Sequence, residues 1–131
     1  MNDKEYKVQK ERIRKLIKKW VKSLGLNWYE ITFEYERGIR TDTTPTAYSP
    51  KVVKGVWETV METEVDPYYG RAVIVCYLGV IKNLEDQDLE ETFLHECMHI
   101  FLSPMHNKKE NKQEELVATR LAKAFIWSHN E

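Results

Sequence analysis

Residues 90–102, Glu-Glu-Thr-Phe-Leu-His-Glu-Cys-Met-His-Ile-Phe-Leu, restrict what this chain can be more than any other stretch. They hold His95-Glu96-Cys97-Met98-His99, an H-E-x-x-H signature, inside a segment whose apolar spacing is helical. A helix turns about 100° per residue, so His95 and His99 return to nearly the same face one turn apart. Two imidazole nitrogens on one face can grip one metal ion, zinc being the usual choice for such a pair. Glu96 stands one step round the helix, beside that ion but offset from it, where a base acting on a water molecule belongs. The plain alternative is a pair of histidines on a half-buried face with no ion. Against it stand the scarcity of histidine, four in 131 residues, and the apolar Leu89, Phe93, Leu94, Cys97, Met98 and Phe101, which supply the helix with a core face.

Two histidines hold zinc poorly, and a reactive zinc site takes three protein donors with one position left open. The candidates for a third donor are His106, Glu114, Glu115 and His129. His106 follows the motif closely, but Pro104 intervenes and no glycine allows the turn that a third histidine there requires. The last helix fits better. Glu115 is followed by Ala118, Thr119 and Ala122 at three, four and seven, a small-residue face that can approach the motif helix closely. Glu114 lies instead above Val117 and Leu121, the expected core stripe. Both glutamates also suit a solvated helix start, so Glu115 is preferred here while Glu114 and His106 stay open.

His-Glu-Cys-Met-His followed by a helix carrying E-x-x-A-x-x-L-A (Glu115, Ala118, Leu121, Ala122) resembles the gluzincin metallopeptidases, in particular their minimal single-domain members. It is similar as well to small H-E-x-x-H proteins of phages and prophages, including ImmA/IrrE-type and SprT-like peptidases. The likeness covers residues 68–127 and takes in the strand Gly70-Arg71-Ala72-Val73-Ile74-Val75; the first half matches only in general layout. The resemblance implies a zinc cofactor held by His95, His99 and Glu115, Glu96 as catalytic base, and a peptide or protein substrate. It departs at Thr119, where thermolysin-like members carry an acidic residue that orients a ligand histidine. Tyr68, Tyr69 and His106 are unranked candidates to stabilise a developing oxyanion.

Two other function classes compete. One is a catalytically weak zincin serving as an interaction module, docking nucleic acid or a protein partner through a basic first helix. Residues 1–24 carry nine Lys or Arg against three Asp or Glu, a balance of +6, and the remainder carries −7, for a net charge of −1. No aromatic residue interleaves with the basic ones on the polar side, so a solvated face is favoured over nucleic-acid binding. The other is a zinc hydrolase acting on RNA, which the absence of a well-placed third histidine disfavours.

The rest of the chain reads as one domain, residues 1–131, with 42% hydrophobic and 31% charged residues. Cys76 and Cys97 are too few for a disulfide framework and are expected as buried thiols in a reducing, cytoplasmic setting. The charged N-terminus has no apolar signal core, and no run approaches the ~20 residues that span a bilayer, so no membrane partner is expected. Oligomeric state is not readable. Ile13, Leu16, Ile17, Trp20, Val21 and Leu24 predict a helix over residues 5–24 stopped by Gly25. Residues 28–35 alternate as a half-buried strand, 36–51 read as a loop, and 52–65 and 71–78 as a hairpin. Asp88 and Glu91 form a capping pair for the motif helix, Ser103-Pro104 ends it, and 113–128 form the last helix with Val117, Leu121, Ala124 and Phe125 inward. The expected fold is α+β and zincin-like. A three- to four-stranded, mostly antiparallel sheet would pack on the N-terminal, motif and C-terminal helices.

Overall fold

The computed structural model describes residues 1–38, 40–42, 52–53, 56–103 and 112–130. The fold is α+β. Helix α1 (Asp3–Trp20) begins where the Asn2 side chain accepts a 2.8 Å hydrogen bond from the Glu5 amide, with Asp3 and Glu5 at its positive end. It ends in a tight turn. Gly25, at φ 74°, takes the left-handed geometry that lets the Leu26 amide reach back 2.9 Å to the Val21 carbonyl. Leu26 is then driven into the core with Ile13 and Trp20.

Strands β1 (Glu30–Glu36), β5 (Met61–Asp66) and β6 (Arg71–Tyr77) form a small mixed sheet in the order β1-β6-β5. β6 runs parallel to β1 and antiparallel to β5, with Phe33, Ile74 and Thr63 in register across it. The expected mostly antiparallel sheet is corrected on this point. β1 pairs with β6 only after a long crossover, a non-local choice that parallel strands require. Between them lie β2 (Arg40–Asp42), β3 (Val52–Val53) and β4 (Val56–Thr59), an antiparallel sheet in the order β2-β4-β3. The single strand expected over 52–65 is therefore three strands, and β2 occupies part of the expected loop. The break falls at Val60, whose carbonyl accepts from the Tyr77 amide at 3.0 Å. β5 and β6 join through residues 67–70, closed by Gly70 at φ 64°.

One face of the mixed sheet is the core. Ala72, Ile74 and Cys76 of β6 are buried, and Phe33 stacks on Phe93 with ring centroids 6.1 Å apart. α2 (Leu78–Ile81) is wholly buried and leads into α3 (Asp86–Leu102), the motif helix. α3 starts two residues before the expected Asp88 cap, and Glu85 at its cap position makes no side-chain capping bond. Arg12 of α1 braces this junction instead. It donates 3.0 Å to the Ile81 carbonyl, 2.7 Å to the Leu84 carbonyl and 2.8 Å to Asp86 Oδ1. Trp20 Nε1 and Lys19 Nζ both donate to Glu90, tying α1 to the first turns of α3.

Replacing Arg12 with Met should cost about 1–3 kcal/mol in a urea melt, because two carbonyls lose their donor together. Asp86 is 93% exposed, so Asp86→Asn should cost less than about 0.5 kcal/mol. Equal losses in the two variants would show that the ion pair, not the carbonyl bracing, is what matters.

α4 (Lys112–Asn130) packs on α3 through Ala118 and Ala122, both fully buried. Val117 and Phe125 are exposed, so the expected inward stripe on this helix is corrected to the small-residue face. Phe101 is likewise exposed, and Ile100 takes the inward position at that end of α3. Among the described residues no helix is long and apolar enough to cross a membrane.

Candidate metal centre

α3 lies between β5 on one side and α4 on the other, and its two histidines face α4. The close approach that Ala118 and Ala122 permit brings the first turn of α4 against them. Glu115 Oε2 is 2.8 Å from His95 Nε2, and Glu115 Oε1 is 3.1 Å from His99 Nε2. The two Nε2 atoms are 3.1 Å apart, with the imidazole planes at 81°. Each of the three residues offers one ligand atom, and these atoms lie within 4.8 Å of one another.

Glu114, weighed beside Glu115 as a third donor, takes a different place. Its Oε1 accepts from His99 Nδ1 at 2.7 Å, on the far side of the ring from the cluster. Thr119 occupies the corresponding position on His95. Its hydroxyl donates 2.8 Å to the Glu115 backbone carbonyl, so its oxygen is the acceptor for His95 Nδ1 at 3.2 Å. Both rings thus spend their Nδ1–H outward and turn the Nε2 lone pair inward, the orientation that partners of metal-binding histidines impose. Neither role was apparent in the sequence, where Thr119 reads as the loss of an acidic partner and Glu114 only as a rival ligand.

Three acceptors now converge: two Nε2 lone pairs and a carboxylate. Such a group is unfavourable unless a positive charge sits within it. Without a metal, a proton supplies that charge. Burial pulls the His99 imidazole down, but the Glu115 hydrogen bond, the Glu96 charge and the Glu114 hydrogen bond outweigh it and push it up to about 9. Burial works against the Glu115 carboxylate as well, yet the His95 and His99 hydrogen bonds hold it down at about 2. A divalent cation suits the same place. Four-coordinate zinc, with donors at ~2.0–2.2 Å, sets them roughly 3.3–3.5 Å apart, a few tenths of an ångström beyond the spacing here. The donor set fits.

The raised His99 value carries a sign that can be tested on metal-stripped protein. A base held above its ordinary pKa near 6.5 gives full stabilisation below that value and loses it as pH rises through about 9. The metal-free melting temperature should therefore fall by about 5 °C or more between pH 6.5 and 9. In His99→Gln that decline should flatten. An equal slope in both proteins would remove His99 as its source.

Glu96 sits behind the histidines at 7% exposure, its Oε2 3.8 Å from His95 Nε2. Burial pushes its carboxyl up, more than the His95 and His99 charges and the Thr63 hydrogen bond pull it down. Thr63 of β5 donates 2.7 Å to Glu96 Oε1, a contact no sequence pattern announces because it depends on which strand packs against α3. Exposure rises across the cluster, from 2% at His95 to 13% at His99 and 35% at Glu115.

No family model, curated protein or solved structure matches this chain. The remaining candidates divide clearly. His106 lies outside the described residues. His129 packs its ring on Trp20, centroids 4.7 Å apart. Tyr68 and Tyr69 are exposed on the β5–β6 turn, stacked edge to face on each other. Cys97 is fully buried with its thiol pushed up by burial, as is Cys76, up to about 12; both are free.

Proposed function

We propose that this chain is a zinc-dependent peptidase of minimal, zincin-like build, with His95, His99 and Glu115 as metal ligands and Glu96 as general base. The observation that carries the reading is the convergence of two imidazole Nε2 atoms and a carboxylate on one point, beside a buried second carboxylate. When bound, zinc would polarise a peptide carbonyl and make water acidic enough to react near neutral pH.

The remaining chemistry belongs to the chain. Glu96 takes a proton from the attacking water and returns it to the departing amine nitrogen. Burial suits it to this task, because a carboxyl pushed up accepts and holds a proton nearer neutrality than an exposed one does. Glu114 and Thr119 hold the histidine rings so that neither nitrogen has to reorient as charge develops. β5 is the outer strand of the mixed sheet among the described residues and carries Thr63 beside Glu96. An extended peptide added alongside β5 would run past the base, which favours peptides over compact substrates.

The test is digestion of an unbiased peptide library by zinc-loaded protein. Cleavage should occur, stop on chelation and return with zinc. Zinc bound at one per chain with no cleavage would favour the interaction-module reading over the peptidase.

A further inference from the structure

Glu96 has two oxygens in different surroundings, and a general base needs only one of them. Oε1 points to β5 and receives the Thr63 hydroxyl at 2.7 Å. Oε2 points to the histidines, 3.8 Å from His95 Nε2. Thr63 is fixed in turn by the sheet. It lies opposite Ile74 in the β5–β6 register, on the face whose β6 residues Ala72, Ile74 and Cys76 are buried against the helices. The strand that positions this hydroxyl and the helix that carries the carboxylate are therefore separate elements locked by one core.

Resting on the peptidase reading, we infer that Thr63 is a positioning residue that pins Glu96 Oε1 and leaves Oε2 alone to exchange the proton. A carboxyl oxygen that carries a proton is a poor acceptor, so the Thr63 bond as placed favours an unprotonated Oε1. While Thr63 donates to Oε1, a proton taken up by Glu96 sits on Oε2, beside the reacting groups and placed for return to the leaving nitrogen. Without the pin the carboxyl can turn over. Its terminal torsion is broad and roughly two-fold, so the proton would spend part of its time facing the sheet, away from the substrate. Orientation losses of this kind reach the order of 100-fold when a reacting group shifts by about an ångström.

The experiment uses zinc-loaded protein labelled with carbon-13 at the glutamate side-chain carboxyl, with Glu96→Gln assigning the Glu96 resonance. Thr63→Val removes the donor at nearly constant shape, and Thr63→Ser keeps it. Thr63→Val should bind zinc at the wild-type ratio, move or broaden the Glu96 resonance, and lower kcat ten- to hundredfold with KM changed less than about threefold. Thr63→Ser should restore both resonance and kcat. An unchanged resonance and kcat in Thr63→Val would overturn the inference. So would a Thr63→Ser protein as impaired as Thr63→Val, since packing of the methyl group would then explain both. If wild-type protein cleaves no peptide yet the resonance responds to Val and not to Ser, the pin stands and the peptidase reading falls.

Discussion

Replacing Glu96 with Gln is expected to lower peptide turnover by about 10²–10⁴-fold while leaving zinc stoichiometry at the wild-type value. The substitution keeps size and shape, and the amide oxygen can still accept from Thr63. What it removes is the ability to take a proton. His95, His99 and Glu115 are untouched, so metal binding should persist. The same change should raise stability by about 1 kcal/mol, because a carboxyl at 7% exposure carries a desolvation cost that a neutral amide largely avoids. Lower activity with higher stability would mark Glu96 as a group kept for chemistry. Turnover within threefold of wild type would remove it as the base.

Phe93→Ala should produce the largest loss of stability, about 3–5 kcal/mol in denaturant unfolding. Phe93 is fully buried on α3 and stacks on Phe33 of β1 at an interplanar angle of 14°. It joins the motif helix to the sheet, and the space it leaves is walled by other buried side chains that cannot all collapse inward. Total stabilities of about 5–15 kcal/mol make this a large fraction of the whole. Zinc should offset much of it, since a ligand at a thousand times its dissociation constant adds roughly 4 kcal/mol to the native state. The expected pattern is a variant that unfolds readily when stripped and recovers with zinc. A loss below about 1 kcal/mol would mean that α3 is not anchored at this position.

The parts readable in the sequence are those that rest on local periodicity. The two imidazoles of α3, four residues apart, the inward side of α1 and the alternation Ile31, Phe33, Tyr35 in β1 each follow from one element's own geometry. The small-residue face after Glu115 also announced a close helix contact, and Ala118 and Ala122 provide it. The large apolar residues beside them misled, because Val117 and Phe125 look like core although close packing of α3 and α4 selects the alanines. The parallel pairing of β1 with β6 is set by a crossover that no window of residues reveals. The start of α3 was hidden for a similar reason: its bracing comes from Arg12, more than 70 residues earlier. Thr63, Glu114 and Thr119 carry no motif. They became visible as partners of Glu96, His99 and His95 only once strand and helix were placed against each other.

Metal binding tests the three-donor centre most directly. Zinc should bind metal-stripped wild-type protein at one ion per chain. Its affinity should fall at least about 100-fold in Glu115→Ala and about 10–100-fold in Glu114→Ala, which removes the acceptor that orients His99 and touches no ligand. Wild-type protein that takes up no zinc, or a Glu115→Ala variant that binds it as tightly as wild type, would contradict the account.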